Sequence, residues 1–303
     1  MKKNILILIC IFISFNNFAC PICGCGGGNL YMGLMPDFKS KFLGFRYHYA
    51  GYHTQLADDP TQFSTNHYNI VELWGGFNIN KKLRLMAFVP YYINRQIDDD
   101  GIANPHGFGD ITIMAQYNVW GSSKLLKNNK VLKQQLWLGG GIKLPTGCFK
   151  VNTADSNTTV ADINAQLGTG STDFILNGLY SLQVGKIGAN ISANYKLNTV
   201  NSDNYKYGNK FTGNVITFYQ LNKKHLYIIP NLGIGYETTH FNELQKATVA
   251  FTGSRLLTYI AGVELSYKSV GFGINAQLPA SQDFAEGQTD MRFKAMAHIS
   301  YSF

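Results

Sequence analysis

Three cysteines stand close together near the start of the chain, Cys20, Cys23 and Cys25, and three glycines follow them. Soft thiolates at this spacing suit Cu(I) or Zn(II), and Met32 and Met35 could add thioether ligands. A c-type haem site would need a histidine directly after the second cysteine of a Cys-x-x-Cys pair, and a glycine stands there instead. The sequence therefore predicts a soft-metal site in this segment, with Cu(I) or Zn(II) as the candidate cofactors.

Two other fates of the cysteines stay open. The compartments outside the cytoplasm oxidise thiols, so Cys20 could form a small disulfide with Cys23 or Cys25. Cys20 could also carry lipid, because it follows the expected cleavage point of a leader directly, although Asn17-Phe18-Ala19 is a poor lipidation signal.

A second group of chemical interest is the histidine pair His48 and His298, which fall on the first and last predicted strands. These two strands are neighbours if a barrel closes, so the imidazoles could meet and bind a metal ion. Ser300 lies two positions from His298 on the same face, but no third member of a catalytic triad is evident. We therefore expect no enzymatic activity, and an outer-membrane barrel enzyme is the weaker alternative.

The start of the chain predicts export. Lys2 and Lys3 precede an apolar run over residues 5–15, and small Ala19 marks the cleavage point of a secretory signal peptide at 1–19. The run is short for a membrane-spanning helix, and no long apolar stretch follows it. A helical membrane protein is therefore unexpected.

The end of the chain alternates strictly between apolar and mostly polar residues up to the terminal Phe303. Alternation of this kind predicts a strand with two different faces. Only 15% of residues are charged and 14% are aromatic, which suits a barrel with lipid outside and a polar lumen inside. A soluble β-sandwich is the competing class, because its strands alternate as well.

The connections favour the barrel over the sandwich. Very short turns alternate with long polar links, as in outer-membrane barrels, and only the link near 121–131 is intermediate. The pattern predicts an all-β antiparallel transmembrane barrel of about 12 strands, with both chain ends in the periplasm. The expected strands are 38–50, 67–79, 82–95, 108–120, 132–145, 171–183, 186–198, 211–222, 225–238, 256–267, 270–279 and 291–303.

Four stretches of the chain together resemble one known family: residues 107–112, 139–147, 167–173 and the closing strand. The family is that of the outer-membrane proteins named after the meta-cleavage pathway of phenol degradation, which are described as transporters. The resemblance implies a barrel that passes small molecules, and it implies no catalytic residues. The leader pattern, the cysteine cluster and the strands together predict a signal peptide (1–19), a Cys/Gly-rich periplasmic tail (20–37) and a barrel (38–303).

Charged residues are expected on the inner face of these strands, and basic ones outnumber acidic ones, as the formal net charge of +8 suggests. A basic lumen would favour anionic or neutral solutes, but the charges could equally pair across the lumen and fill it. Asp110 and Asp173 would lie near the external rim, where each could bind a cation, pair with Lys143 or bond the loop backbone. The candidate lumen-lining residues are Arg46, His48, Glu72, Arg84, Lys143, Lys196, Glu264, Lys294 and His298.

The sequence as a whole predicts an outer-membrane barrel that passes small solutes. Its expected partners are outer-membrane lipid, the solutes, and the barrel assembly machinery acting through the strand that ends at Phe303. Nucleic acid is not expected, because the lysines are spread over turns. The main alternative is a metal-binding barrel with a plugged lumen.

Overall fold

The computed structural model describes residues 41–55, 63–98, 101–127, 129–149 and 166–303, and these form an all-β architecture. Their one helical element is a short 3-10 turn, Ala285–Gly287. No helix in this part of the chain is long and apolar enough to span a bilayer. The predicted signal peptide and the predicted Cys/Gly-rich tail lie outside the described residues.

Twelve long strands form the barrel, in agreement with the number and order that the alternation predicts. They are β1 (Lys41–Gln55), β2 (Phe63–Asn78), β3 (Leu83–Ile93), β4 (Thr112–Leu125), β5 (Val131–Lys143), β6 (Asp173–Val184), β7 (Ile187–Leu197), β8 (Lys210–Tyr219), β9 (Leu226–Thr239), β10 (Ser254–Tyr267), β11 (Val270–Phe284) and β12 (Thr289–Ser302).

Each barrel strand pairs antiparallel with the next one along the chain. The last strand, β12, pairs with β1 from Phe42↔Ser302 to Thr54↔Thr289, so the sheet closes on itself. The backbone N–H of Phe303 also donates to the carbonyl of Lys41 at 3.0 Å. Closure leaves the barrel strands without an open edge, which a membrane requires of a β-structure.

The two faces of the barrel have opposite polarity. Outward side chains are large, apolar and exposed, such as Phe45, Leu232 and Tyr259 at 56%, 65% and 63%. Inward side chains include fully buried Gln116 and Asp173. A water-soluble sandwich would bury the apolar faces instead, so this arrangement is that of a transmembrane barrel with lipid outside.

The two ends of the barrel differ in the length of their connections. Five short turns join the strands at one end, where β1 begins and β12 ends; in one of them Gly185 adopts φ 59°. Longer loops lie at the other end and carry small strands of their own, including the paired segments Tyr205–Lys206, Glu243–Leu244 and Ala247–Thr248. In barrels of this class the short turns are periplasmic and the long loops external.

Several strands are longer than the alternation indicates. β1 continues to Gln55 rather than residue 50, and β11 continues to Phe284, so the last external connection is only a tight turn. β4 runs to Leu125 and β5 begins at Val131, so the link that looked intermediate in the sequence is a short turn as well. Polar residues at these strand ends face the lumen or the interface, and they therefore resemble loop residues in the sequence.

Candidate functional site: the barrel lumen

One side of the lumen, formed by β1 to β4, is apolar. We call this side the apolar wall. Leu179 of β6, on the far side of β5, also packs against it. Inward and lipid-facing side chains alternate along each of these strands. The inward side chains of neighbouring strands therefore meet and pack as one buried cluster. The cluster consists of Phe42, Trp74, Met86, Phe88 and Met114.

The apolar wall holds one buried ion pair. Arg46 of β1 faces Glu72 of β2 in the ladder, and its Nε donates to Glu72 Oε1 at 2.7 Å. The guanidinium also lies over the rings of Trp74 and Phe88, at 4.6 and 5.0 Å from their centroids. Arginine suits this position because a planar, weakly hydrated cation can stack on aromatic faces while it pairs with a carboxylate.

The opposite side of the lumen, which we call the amide wall, carries inward asparagines on β6 to β9 and β11. Two of them continue a side-chain hydrogen-bond chain that starts on the other wall: Gln116 donates to Asn177, and Asn177 Nδ2 donates to Asn194 Oδ1 at 2.5 Å. Buried amides must find partners of this kind. The inward asparagines are Asn177, Asn190, Asn194, Asn214, Asn231 and Asn275.

Two glycines of β5 allow this chain to cross from β4 to β6. A Cβ at Gly139 would stand 2.6 Å from Cγ of Gln116, and one at Gly141 would stand 2.6 Å from Cγ of Met114. Side chains of β4 occupy the space that inward residues of β5 would otherwise fill. Packing inside the lumen therefore explains Gly139 and Gly141 of this glycine run.

Further along the amide wall, some amide atoms have no hydrogen-bond partner among the described residues. Both side-chain polar atoms of Asn275 and the Oδ1 of Asn231 are buried and make no hydrogen bond within the described part of the chain. Gly262 lies between these two residues in the ladder, and their side chains pack over it. A stretch of the amide wall thus holds buried polar atoms that its own side chains do not satisfy.

Two more inward charge groups pair across strands. Glu237 of β9 binds Lys210 at 3.0 Å and Lys294 at 2.8 Å. Glu264 of β10 contacts His298 Nε2 at 2.8 Å, above the position of Gly273, where a side chain would clash with both. These pairs join β8, β9, β10 and β12.

A buried charge cluster lies at the rim that carries the long loops. The ammonium of Lys143 contacts Asp110 at 2.5 Å, Asp173 at 2.9 Å, Thr169 Oγ1 at 2.5 Å and the carbonyl of Ser171 at 3.1 Å. We call this group the rim cluster: Asp110, Lys143, Thr169, Ser171 and Asp173.

The loop backbone completes the rim cluster. Asp110 accepts the N–H groups of Gly147 and Thr169, and Asp173 accepts the N–H of Thr199 at 3.0 Å. Asp110 therefore both pairs with Lys143 and bonds loop backbone, two of the three roles that the sequence left open. The three glycine-rich segments singled out in the sequence meet here.

The structure places all nine predicted lumen residues on the inner face. Arg46, Glu72, Lys143, Glu264, Lys294 and His298 are buried, and His48, Arg84 and Lys196 are half-buried. Arg84 donates to Gln116 at 2.5 Å and stacks over Trp137 at 4.2 Å. Their part in an open passage stays a prediction.

The two histidines do not face each other directly. In the ladder His48 is opposite Met296, and His298 is opposite Arg46, so the imidazoles lie diagonally. Among the described residues no group of three or more His, Cys, Asp or Glu could hold a metal ion. The predicted site at Cys20, Cys23 and Cys25 lies outside the described residues and stays a prediction, which intact-mass measurement after Cu(I) exposure would test.

The prediction from sequence did not identify the amide wall, the packing role of the two glycines of β5, or the aromatic partners of Arg46 and Arg84. One signal was available, because asparagines recur at inward positions of consecutive strands. The apolar cluster had no such signal, since inward aromatics look like a break in the alternation.

A closed twelve-stranded antiparallel barrel with an apolar belt outside and a mixed lumen inside is an outer-membrane β-barrel. Within that class, the family described as "Putative MetA-pathway of phenol degradation" matches residues 47–289, so the chain belongs to this family. No curated protein matches the chain.

Solved structures share the fold at low sequence identity. An outer membrane channel from Pseudomonas putida F1 aligns with a TM-score of 0.58 and 14% identity, covering 89% of this chain and 100% of that one. The β domain of the Bordetella autotransporter BrkA aligns at 0.48 and 12%, covering 88% and 100%. The CymD monoaromatic hydrocarbon channel aligns at 0.42 and 8%, covering 96% and 99%. The first similarity supports the fold, and the other two scores are too low to add to the argument.

Proposed function

We propose that this outer-membrane barrel passes small, uncharged, largely apolar solutes across the outer membrane. The observation that carries the proposal is the asymmetry of the lumen. The apolar wall carries rings and thioethers, and the amide wall carries inward asparagines, some with polar atoms that have no partner among the described residues. Sites for small organic molecules combine a mostly apolar lining with a few polar groups in this way.

The charge arrangement argues against selection for ions. Arg46 pairs with Glu72, Glu237 pairs with two lysines, and Lys143 pairs with two aspartates. Charge-selective pores depend on rings of like charge that face the passage. Charges that satisfy each other within the wall leave neutral solutes as the favoured class.

The barrel diameter limits the size of the solute. Eight-stranded barrels have interiors filled by side chains, and sixteen strands leave an aqueous channel. A barrel of twelve strands lies between these limits, and buried clusters occupy much of its interior. Passage therefore involves movement of side chains such as those on the apolar wall, and the expected conductance is small.

A transport role also accounts for the chain without an enzymatic activity. The P. putida barrel that shares the fold is an outer membrane channel. His298 bonds Glu264 through Nε2, but its Nδ1 makes no hydrogen bond within the described residues, so Ser300 is not engaged as a nucleophile. We propose that the protein is not an enzyme.

Blockade of single channels tests the proposed function. Full-length protein is inserted into planar bilayers, and phenol, benzoate or glucose is added to one side. We expect phenol to interrupt the small current, with much weaker effects of benzoate and glucose. Blockade by benzoate alone, or by none of the three, would contradict a passage for neutral apolar solutes.

Two tryptophan variants assign the effect to the lumen. Trp74→Ala should weaken blockade by phenol by about tenfold, because a stacked aromatic contact and its buried area are lost. Trp120→Ala is the matched control, since Trp120 is 46% exposed on the outer part of β4. Equal effects of the two variants would place the phenol site outside the lumen.

We further propose that the closing strand presents Phe303 to the barrel assembly machinery. Phe303 is 62% exposed, and its main chain bonds Lys41 across the closure. Deleting Phe303 should lower the yield of folded barrel in cells while purified protein still refolds in detergent. Heat-modifiable migration on gels measures both yields, and an unchanged yield in cells would contradict the proposal.

A further inference from the structure

A groove runs along the lipid-facing side of β1, β2 and β3 close to the short-turn end. Its floor follows one row of the ladder, in which Leu43, Gly75, Ala87 and Ile113 are successive neighbours. Gly75 and Ala87 add almost no side chain to the outer surface at this point. Larger outward residues flank the row, namely Leu73 and Val89 on one side and Phe77 and Leu85 on the other.

The groove encloses about 620 Å³ and its lining is almost wholly apolar. That volume lies within the range of about 300–1,000 Å³ found for sites that bind small organic molecules. Phe303 also lines the groove. An apolar recess in the membrane belt is filled by hydrocarbon rather than by water, because exposing it to water would be unfavourable.

Positive charge is concentrated at the periplasmic end of the groove. Lys41 is its one charged lining residue, and it is exposed. Lys81 and Lys82 stand, also exposed, in the turn that joins β2 to β3 just below. Lysines at this depth extend their ammonium groups toward the lipid headgroups while the stems stay against apolar surface.

We propose that this groove binds a phospholipid of the periplasmic leaflet, with an acyl chain against Gly75 and Ala87 and the phosphate at Lys41. The shape accounts for the chain, and the lysines account for the choice of an anionic headgroup. Lys81 and Lys82 reach the same headgroup layer from the next turn. The bound lipid covers the place where the outward residues, Gly75 and Ala87, are smallest.

Photo-crosslinking tests the proposal on the full-length protein in liposomes. The probe is phosphatidylglycerol with a diazirine in one acyl chain, and adducts are mapped by peptide mass spectrometry. We expect adducts to concentrate in residues 73–77 and 85–89. Adducts spread evenly over the belt, including β10 and β11, would overturn the proposal. Crosslinks that join the groove to residues 20–40 would also overturn it, since a segment of the chain would then be the occupant.

Matched substitutions sharpen the test. Ala87→Leu fills the groove and should lower the adduct yield by about tenfold, the loss of burial of roughly two methylene groups. Ala261→Leu is the control, because Ala261 is exposed on the outer face of β10 and does not line the groove. Lys41→Gln should reduce the preference for phosphatidylglycerol over phosphatidylethanolamine probes. Unchanged yields in Ala87→Leu, or equal losses in both alanine variants, would overturn the proposal.

Discussion

The two walls of the lumen solve the same problem in different ways. Among the polar groups of the apolar wall, the one ion pair, Arg46 with Glu72, is covered by the rings of Trp74 and Phe88. On the amide wall, neutral side chains carry much of the polarity beside the Lys210–Glu237 pair; some are bonded in a chain, and some have buried polar atoms without a partner among the described residues. The difference teaches that a charge inside a barrel needs its partner and its cover together, whereas an amide tolerates a partly satisfied environment.

Breaking the ion pair of the apolar wall should have the largest effect. Arg46→Leu leaves the Glu72 carboxylate buried without its partner, so we expect the free energy of unfolding to fall by about 3–5 kcal/mol. The double variant R46L/E72L should recover most of this loss, because no uncompensated charge remains. Urea unfolding in detergent micelles, followed by tryptophan fluorescence, measures both. Equal losses in the single and double variants would show that stacking rather than pairing holds Arg46.

Interrupting the amide chain should have an intermediate effect. Asn177→Leu leaves the side chains of Gln116 and Asn194 without a common partner, and we expect a loss of about 1–3 kcal/mol in the free energy of unfolding. Leu176→Ile is the control on the lipid-facing side of the same strand, since it removes no hydrogen bond. The same urea titrations compare the two variants. A loss in Asn177→Leu no larger than in the control would show that the hydrogen-bond chain does not stabilise the barrel.

Removing the amide of Asn275 should have the smallest effect. Neither of its polar atoms has a hydrogen-bond partner among the described residues, so Asn275→Ala breaks no hydrogen bond there, and we expect the free energy of unfolding to change by no more than about 0.5 kcal/mol. The temperature at which the folded band disappears on gels is sufficient to detect a larger change in stability. A loss as large as that of Asn177→Leu would mean that the whole amide wall acts as one network.

Much of the fold could be predicted because alternation along a strand reports which face a residue occupies, whatever the strand packs against. The strand count, the strand order and the end at which turns are short all follow from it. The strand ends do not, because the stretches 53–55 and 281–283 are polar, yet they continue the ladder. A polar residue near the external rim is compatible both with a strand position that faces the lumen and with a loop position, so the sequence does not show where the strand ends.

The contacts across the lumen could not be predicted in the same way. Lys294 meets Glu237, although two strands separate them and they are 57 positions apart in sequence. Such partners depend on the stagger of the closed ring, which no single strand encodes. The pairing of Lys143 with Asp110 was among the sequence alternatives because both lie at rim ends of adjacent strands. The apolar cluster was missed because inward aromatics carry no alternation signal.

The rim cluster also bears on how faithfully the barrel assembles. Its charged members lie just before β4, at the end of β5 and at the start of β6, so it forms only when three consecutive strands are aligned. Sliding one of these strands by a single residue would turn its charged side chain toward the membrane and leave the others without partners. The cluster thus specifies the register of these three strands, because only one alignment gives each buried charge its partners.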